Sequence, residues 1–258
     1  MSPESRASII LETIHRAGRI SVDKLATRLQ TSAATVRRDL SELERRGLLK
    51  REHGLAVAVD PVVTDSFRSD SSFQEQVRRM ADEKRRIGVA AARLIAAGQT
   101  VAFGAGTTTT HVARSMPPVK GVTAVTNTLN IALELSRRDE VKIFVTGGML
   151  NGGWFSLTGP TALSSLSAMY FDQVFFSVSG IHPERGLTDS HPEEAAVNRA
   201  FLKQARRKIV VADHTKFSIV ANNFLSPLED IDLIITDTGA SERMLAPYRK
   251  RGVEIQRV

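Results

Sequence analysis

From Thr100 to the C-terminus the chain repeats one pattern, a short apolar, β-branched run followed by a helical one, and this alternation limits the possible folds more than any other feature. The apolar runs are Thr100–Phe103, Val122–Thr126, Val141–Thr146, Gln173–Val178, Ile209–Ala212, Ile231–Thr236 and Val253–Gln256. Between most of them lie segments of helical period, Thr108–Ser115, Leu129–Arg137, Thr161–Met169, Glu193–Arg206 and Glu242–Arg249, and Glu83–Ala97 reads as a helix ahead of the first strand. Strands that are apolar throughout have both faces covered, and strands joined through helices pair in parallel. The pattern predicts an open, largely parallel α/β sheet.

A different pattern precedes it. Ile10, Ile14 and Ala17 recur at helical spacing from Glu4 onward, and Gly18 stands where a helix C-cap is expected. Ser21 is placed to cap a short segment whose Val22, Leu25, Ala26 and Leu29 share one face. Ser32 is placed to cap a third helix, with Val36, Leu40 and Leu43 inside and Gly47 at its end. Leu48 to Val59 alternates around His53-Gly54 as a small hairpin. Three short helices and a hairpin make a domain of residues 1–59. Pro61 and the polar run from Asp65 to Ser72 have no steady period, so 60–76 reads as a linker and 77–258 as the α/β domain.

The 258 residues leave room for both domains, and the formal charge of +7 favours polyanionic partners. The absence of cysteine excludes disulfides, thiolate metal sites and cysteine nucleophiles. None of the histidines has metal-motif spacing, so neither a metal nor a cofactor is expected. MSPESRASII lacks the apolar centre of a signal peptide, and no apolar run nears the roughly 20 residues that span a bilayer. The expected setting is cytoplasmic, without a membrane partner.

In the third helix, burying Val36, Leu40 and Leu43 spreads Ser32, Thr35, Arg37, Arg38 and Ser41 over the other faces. The exposed early turns of such a helix are what a recognition helix offers a major groove. Arg37 or Arg38 could reach guanine O6/N7 or a phosphate, and Ser32 and Thr35 could bond backbone or base edges. Arg51 and His53 in the hairpin would add contacts beside the groove. Alone, two adjacent arginines describe a solvated helix face better than a DNA contact; the three helices and hairpin around them reverse that and favour DNA.

These residues carry a resemblance. Gly18-Arg19-Ile20-Ser21-Val22-Asp23-Lys24-Leu25-Ala26, then Thr35-Val36-Arg37-Arg38-Asp39-Leu40, Leu43-Glu44, Gly47 and Arg51-Glu52-His53-Gly54 resemble the winged helix-turn-helix of DeoR-family regulators. The resemblance implies that Ser32, Thr35, Arg37 and Arg38 contact operator double-stranded DNA. Leu55 stands where such proteins usually have a second wing glycine.

In the second domain the residues following each strand are small and polar, and in open α/β sheets ligands gather at these carboxyl ends. Gly104-Ala105-Gly106-Thr107-Thr108-Thr109-Thr110 combines glycines, hydroxyls and a helix start, which is equipment for an anion. Thr126-Asn127-Thr128, Gly147-Gly148, Ser179-Gly180, Asp213 with Lys216, and Asp237 complete the ring. A phosphate at Gly106–Thr109 would leave sugar hydroxyls facing Asp213, Asn127 and Lys216, although Asp213 and Lys216 could instead form a structural ion pair. Trp154 either lids the pocket or packs on the sheet edge.

The family resemblance extends through Glu83-Lys84, Gly106-Thr107-Thr108, Thr126-Asn127-Thr128-Leu129-Asn130-Ile131-Ala132, Gly147-Gly148, Gly159-Pro160, Gly186-Leu187-Thr188, Glu194-Ala195, Asp213 and Lys216-Phe217. It implies an effector domain similar in fold to ribose-5-phosphate isomerase, a small phosphorylated metabolite as effector, and repression of a carbohydrate-catabolism operon. The chain departs from the pattern at Gly104, where an aspartate is usual, and at Asn198, where a lysine is usual. An isomerase needs clustered acids after a mid-sheet strand, and Ser177-Val178-Ser179-Gly180-Ile181 offers none, so no enzyme is expected. One such domain makes too few contacts for a selective operator, which predicts a homo-oligomer, dimer or tetramer.

Overall fold

In the computed structural model, which describes residues 3–45, 49–52, 54–58 and 76–258, the chain divides into two units, Met1–Arg68 and Ser69–Val258. Gly47, His53 and the expected linker except for Gln76 lie outside the described residues.

The first unit contains α1 (Pro3–Ala17), β1 (Arg19–Ser21), α2 (Val22–Leu29), α3 (Ala33–Arg45), β2 (Leu49–Glu52) and β3 (Leu55–Ala58). Gly18 takes a φ of +72°, which ends α1 as its position in the sequence suggests. Ser21 Oγ accepts from Lys24 N at 3.3 Å and Ser32 Oγ from Thr35 N at 3.1 Å, so both serines satisfy first-turn N–H groups. Ile10, Ile14, Leu25, Val36, Leu40, Leu43, Leu49 and Ala56 are buried together. β3 pairs antiparallel with β2 on one side and β1 on the other; β1 has only three residues, too few to show a period. Leu55, which takes the place of a glycine, pairs with both Glu52 and Ser21.

A bidentate ion pair joins α1 to α3. Arg6 Nε and Nη2 donate to Asp39 Oδ2 and Oδ1 at 2.8 and 3.1 Å, with both side chains largely buried. Asp39 directly follows the Arg37-Arg38 pair, so this contact sets how α3 rolls on its neighbour.

The second unit is built on seven parallel strands in the order β15-β14-β12-β9-β4-β5-β6. They are β4 (Thr100–Phe103), β5 (Thr123–Thr126), β6 (Lys142–Val145), β9 (Phe171–Phe176), β12 (Ala205–Val211), β14 (Leu233–Thr236) and β15 (Glu254–Arg257). Successive side chains point to opposite faces and each face has its own core. Val101, Phe103, Phe175, Ile209, Leu233 and Ile235 pack under α4 (Ala81–Ala92), α5 (Thr107–Arg114) and α6 (Leu129–Leu135). Ala102, Val174, Phe176, Val210 and Ile234 pack under α7 (Pro160–Ser167), α8 (Pro192–Gln204) and α9 (Glu242–Arg249). The edge strands β6 and β15 instead alternate exposed and half-buried residues and carry Lys142, Glu254, Gln256 and Arg257, charges and polar groups that discourage further pairing.

All seven expected strands belong to this sheet. Several boundaries shift by one to five residues, and two helix ends show why. The segment expected as helix to Arg206 leaves the helix at Gln204 and enters β12 at Ala205, because pairing with Phe171 and Gln173 of β9 starts there. The helix expected to run to Ala97 ends at Ala92, and Gln99 Oε1 accepts from the following Ala96 N at 2.9 Å. Two smaller antiparallel pieces were not expected, the hairpin of β7 (Met149–Asn151) with β8 (Ser156–Thr158) and the sheet of β10 (Gly180–His182), β11 (Gly186–Asp189) and β13 (Asn223–Ser226).

Arg6→Ala leaves Asp39 unpaired in a mostly buried place and is expected to destabilise the first unit by about 2 kcal/mol. In a urea-unfolding double-mutant cycle with Asp39→Ala, the double variant should lose clearly less than the sum of the single variants; full additivity would show that the pair does not couple the helices.

Candidate ligand cavity and nucleic-acid face

The order of the sheet decides which strand ends meet. β9 lies between β4 and β12, so the chain's direction across the sheet reverses at the β4/β9 boundary, the position at which open α/β sheets form a crevice. A cavity of about 310 Å³ lies there, lined by residues that follow these three strands. Ala105 to Thr108 follow β4, Ser177 to Ser179 follow β9, and Asp213 with Lys216 follow β12.

Gly106 and the start of α5 form one wall. Gly106 has a φ of +146°, and a Cβ there would lie 2.7 Å from Ser177, so only glycine brings the loop this close to β9. Having no side chain, it cannot cap α5, and the first-turn N–H groups of an uncapped helix start favour an anion. Thr107 and Thr108 line the cavity, whereas Thr109 is wholly buried with its hydroxyl 3.1 Å from Ser177 Oγ and holds the loop to β9.

Two cations face this wall. Lys216 lines the cavity and forms no ion pair with Asp213; Asp213 instead accepts from Thr215 N at 3.0 Å and from the Thr215 hydroxyl. Lys84 of α4, 2% exposed, donates to the carbonyl of Gln76 and also lines the cavity. Burial pushes its pKa down to about 8, with Lys216 and Arg79 adding to the fall and Asp213 opposing it.

Carboxylates and amides line the opposite side. Glu194 of α8 is 5% exposed, and burial pushes its pKa up to about 7, reinforced by Asp189 and opposed by the hydrogen bond from Ser156 Oγ. Asp189 at the end of β11 accepts from Ser179 Oγ at 3.1 Å, His191 N at 3.4 Å and Asn198 Nδ2 at 3.4 Å. The two positions that depart from the family pattern meet here: a Cβ on Gly104 would lie 2.9 Å from Asn198 Oδ1. Trp154 lines the cavity, its ring centroid 5.4 Å from that of His191.

Besides Thr109, seven residues expected at the site stand behind it or apart from it. Thr126 Oγ1 donates to Phe103 O at 2.9 Å and lies 3.0 Å from Thr128 Oγ1, which fixes the end of β5 to β4. Asn127 Nδ2 donates to Leu157 O at 3.2 Å and thereby holds β8, whose Ser156 reaches Glu194. Gly147 and Gly148 follow β6, and a Cβ on Gly148 would lie 2.5 Å from Thr158 O in the β7–β8 hairpin. Gly180 packs against the backbone of Ile219, with 2.5 Å between an added Cβ and its carbonyl oxygen. Their strands lie on the outer side of β4 or belong to the antiparallel pieces. Asp237 is likewise engaged, by His214 N at 2.7 Å and Nδ1 at 2.8 Å; burial works against its charge, but these bonds and that of Gly239 N outweigh it and hold the pKa below the usual carboxylate range.

Reading the strand ends missed Gln76, Asp189 and Ser177 as lining residues. Lys84, Glu194 and Asn198 sit on helices, and only the family motifs brought them into view.

In the first unit Ser32, Arg37 and Arg38 are exposed and Thr35 is half-buried. Thr35 Oγ1 lies 2.9 Å from Ser32 Oγ, so these hydroxyls first serve the helix start. Neither Arg37 nor Arg38 forms an ion pair with another described residue. Arg51 differs: its Nε lies 3.1 Å from Glu44 Oε2 and its Nη1 donates to Ser41 Oγ at 3.1 Å, so it ties β2 to α3. Among the described residues no cluster of three His, Cys, Asp or Glu could hold a metal ion, and no helix is long and apolar enough to cross a membrane.

Comparison with known proteins assigns both units. Residues 6–62 match the DeoR-like helix-turn-helix domain and residues 79–238 the DeoR C terminal sensor domain. The HTH-type transcriptional regulator GlpR of Haloferax volcanii is 39% identical over 92% of this chain and 91% of its own. The HTH-type transcriptional repressor GlcR of Bacillus subtilis is 32% identical over 99% and 96%. Among solved structures, a D-ribose-5-phosphate isomerase in complex with phospho-erythronic acid covers 53% of this chain and 54% of its own at 14% identity and a TM-score of 0.40, too slight a likeness to add to the strand register. With both domains matched and relatives aligned over nearly the full length, the chain belongs to the DeoR family of DNA-binding transcriptional regulators.

Proposed function

We propose that the protein represses a carbohydrate-catabolism operon and that a small phosphorylated metabolite, bound in the second unit, lowers its affinity for operator DNA. The observation that carries this reading is the cavity at the β4/β9 boundary, where the uncapped start of α5 faces Lys84 and Lys216. Helix N–H groups and two ammonium groups suit a phosphate ester, and the carboxylates and amide across from them suit hydroxyls. The name of the GlcR relative supports repression. The chain is a regulator and not an enzyme, so its cavity acts by binding.

On this reading the domains are residues 1–59 for DNA and 77–258 for effector and self-association, joined by 60–76. Ser32, Thr35, Arg37 and Arg38 contact the operator, with Arg51 holding the hairpin beside them. The protein binds as a dimer or tetramer. Gly106, Thr107, Thr108, Asp213 and Lys216 hold the effector, while Thr109, Asn127 and their neighbours keep the walls in place. The effector's leverage equals its differential affinity for the DNA-competent and DNA-incompetent states.

Arg37→Ala should weaken operator binding at least tenfold and, for a phosphate contact, reduce the slope of log K against log salt by about 0.9 per subunit, with effector affinity unchanged. Fluorescence anisotropy at several salt concentrations measures both. Lys216→Ala should do the reverse, leaving DNA affinity intact and abolishing release by the effector. Equal damage to both functions in either variant would contradict the division of labour.

Effector affinity should also depend on pH. Lys84 is charged only below about pH 8, and a bound anion favours the charged form, so affinity falls as pH rises through about 8. A phosphate monoester gains its second charge near pH 6, and Glu194 on the opposite wall gains its own near 7 and opposes an anion, so affinity peaks between about 6 and 7 and falls further as Lys84 loses its charge. Calorimetric titrations from pH 6 to 9 should show the limb near pH 8 in the wild type and lose it in Lys84→Met; an unchanged limb in that variant would assign the titration to another group.

A further inference from the structure

From Ile143 to Tyr170 the chain runs 28 residues without a charged or histidine side chain, although 24% of the whole is charged. Burial does not account for this. The stretch supplies most of β6, the β7–β8 hairpin and α7, and it holds Phe144, 41% exposed, Met149, 77%, and Leu150, 41%. Among the described α-helices α7 alone has no charged residue, and Thr161, Ser164 and Ser167 fill its exposed positions. These pieces make one face. Ile143 packs with the core under α4, α5 and α6, so its neighbour Phe144 points to the side that α7 covers. Ser165 Oγ donates to Thr146 O at 2.8 Å, and a Cβ on Gly148 would lie 2.5 Å from Thr158 O of the hairpin and 3.3 Å from Ala162 Cβ of α7. Exposed apolar side chains on a surface depleted of charge mark the centre of a protein–protein contact.

Charge also selects the occupant. Each copy of the chain carries a formal +7, so copies repel one another over much of their surface and approach closely where neither presents a charge. A twofold contact sets a patch against itself, and an uncharged apolar patch is its own complement. A polyanionic partner would need cations, which this stretch lacks. We propose that the face formed by Phe144, the β7–β8 hairpin and the outer side of α7 binds a second copy of the chain through a twofold contact. This rests on the self-association in the function proposed above and names the surface that makes it. Lys142 at the start of β6 keeps the strand edge charged, so the copies meet through side chains and not by extending the sheet. The same hairpin brings Trp154 to the cavity, so one element borders both.

The test is sedimentation velocity on the full chain over a range of concentrations. The wild type should sediment as a dimer or larger. Met149→Asp and Ser164→Arg, both at exposed positions, set like charges against each other across the twofold and should raise the dissociation constant of self-association at least tenfold with the circular dichroism unchanged. Phe224→Asp is the control. Phe224 is 55% exposed and lies near Ile219 and Val220 in sequence, but Arg199 donates to its carbonyl and brings a charge there, so association should change less than about threefold. If the charged variants fail to fold, thiol protection replaces them: the chain has no cysteine, so Met149→Cys and Phe224→Cys each offer a single thiol. Maleimide should react much more slowly with the first in the assembled than in the dissociated protein, and at equal rates with the second. In an oligomeric wild type, charged variants that associate like their parent, or protection at 224 in place of 149, would overturn the surface and leave the oligomer standing. A wild type that stays monomeric would overturn both. If Met149→Asp dissociates yet binds operator as tightly as its parent in fluorescence anisotropy, the surface is upheld and the need for an oligomer on DNA falls instead.

Discussion

The parallel ladder of the second unit constrains everything around it. A seven-stranded sheet with helices on both faces fills most of β4, β9 and β14 and the second half of β12 with buried apolar side chains, so the hydroxyls, amides and charges of the site collect where the strands end. Parallel pairing places those ends on one edge. Only strands adjacent in the sheet can share a cavity there, and the insertion of β9 between β4 and β12 makes a single crevice from three segments far apart in sequence.

Burial then sets the electrostatics. Lys84 and Glu194 are both pushed toward their neutral forms, one by loss of water around an ammonium and the other by loss of water around a carboxylate. A buried cavity holding cations on one wall and acceptors on the other is costly when empty, and the cost is eased by this partial neutrality and by the hydrogen bonds that Ser156, Ser179 and Thr215 supply. The same cause acts on the half-buried His111 of α5, with the cations Arg114, Lys84 and Arg85 nearby adding to it. His111 packs against Gly88 with no space for a Cβ between α4 and α5, and burial drives its pKa down to about 3, so it stays neutral.

Much of the fold was legible because its signals are local. The seven core strands are β-branched and bounded by helical segments, and Ser21 and Ser32 announce α2 and α3 by a cap that needs only three residues. The antiparallel pieces escaped because strands of three or four residues show no period, and their pairing, such as Leu187 with Ser226, spans the α8 and β12 segments. The site was half legible for the same reason. Gly106 to Thr108, Asp213 and Lys216 follow strands that turn out to be central, whereas Thr126 to Thr128 and Gly147-Gly148 follow strands equally convincing in sequence that lie outward in the sheet. Strand order is a long-range property, and nothing in the local composition of β5 distinguishes it from β9.

The position of Trp154 has a practical consequence. It is the sole tryptophan of the chain and it lines the cavity, while the first unit has none. Emission excited at the red edge of the indole band therefore comes from one place, and a polar ligand that displaces solvent beside the ring alters its colour and yield. The protein thus carries a native optical reporter of cavity occupancy, which can be followed with no label while an extrinsic dye on the DNA records the other half of the switch.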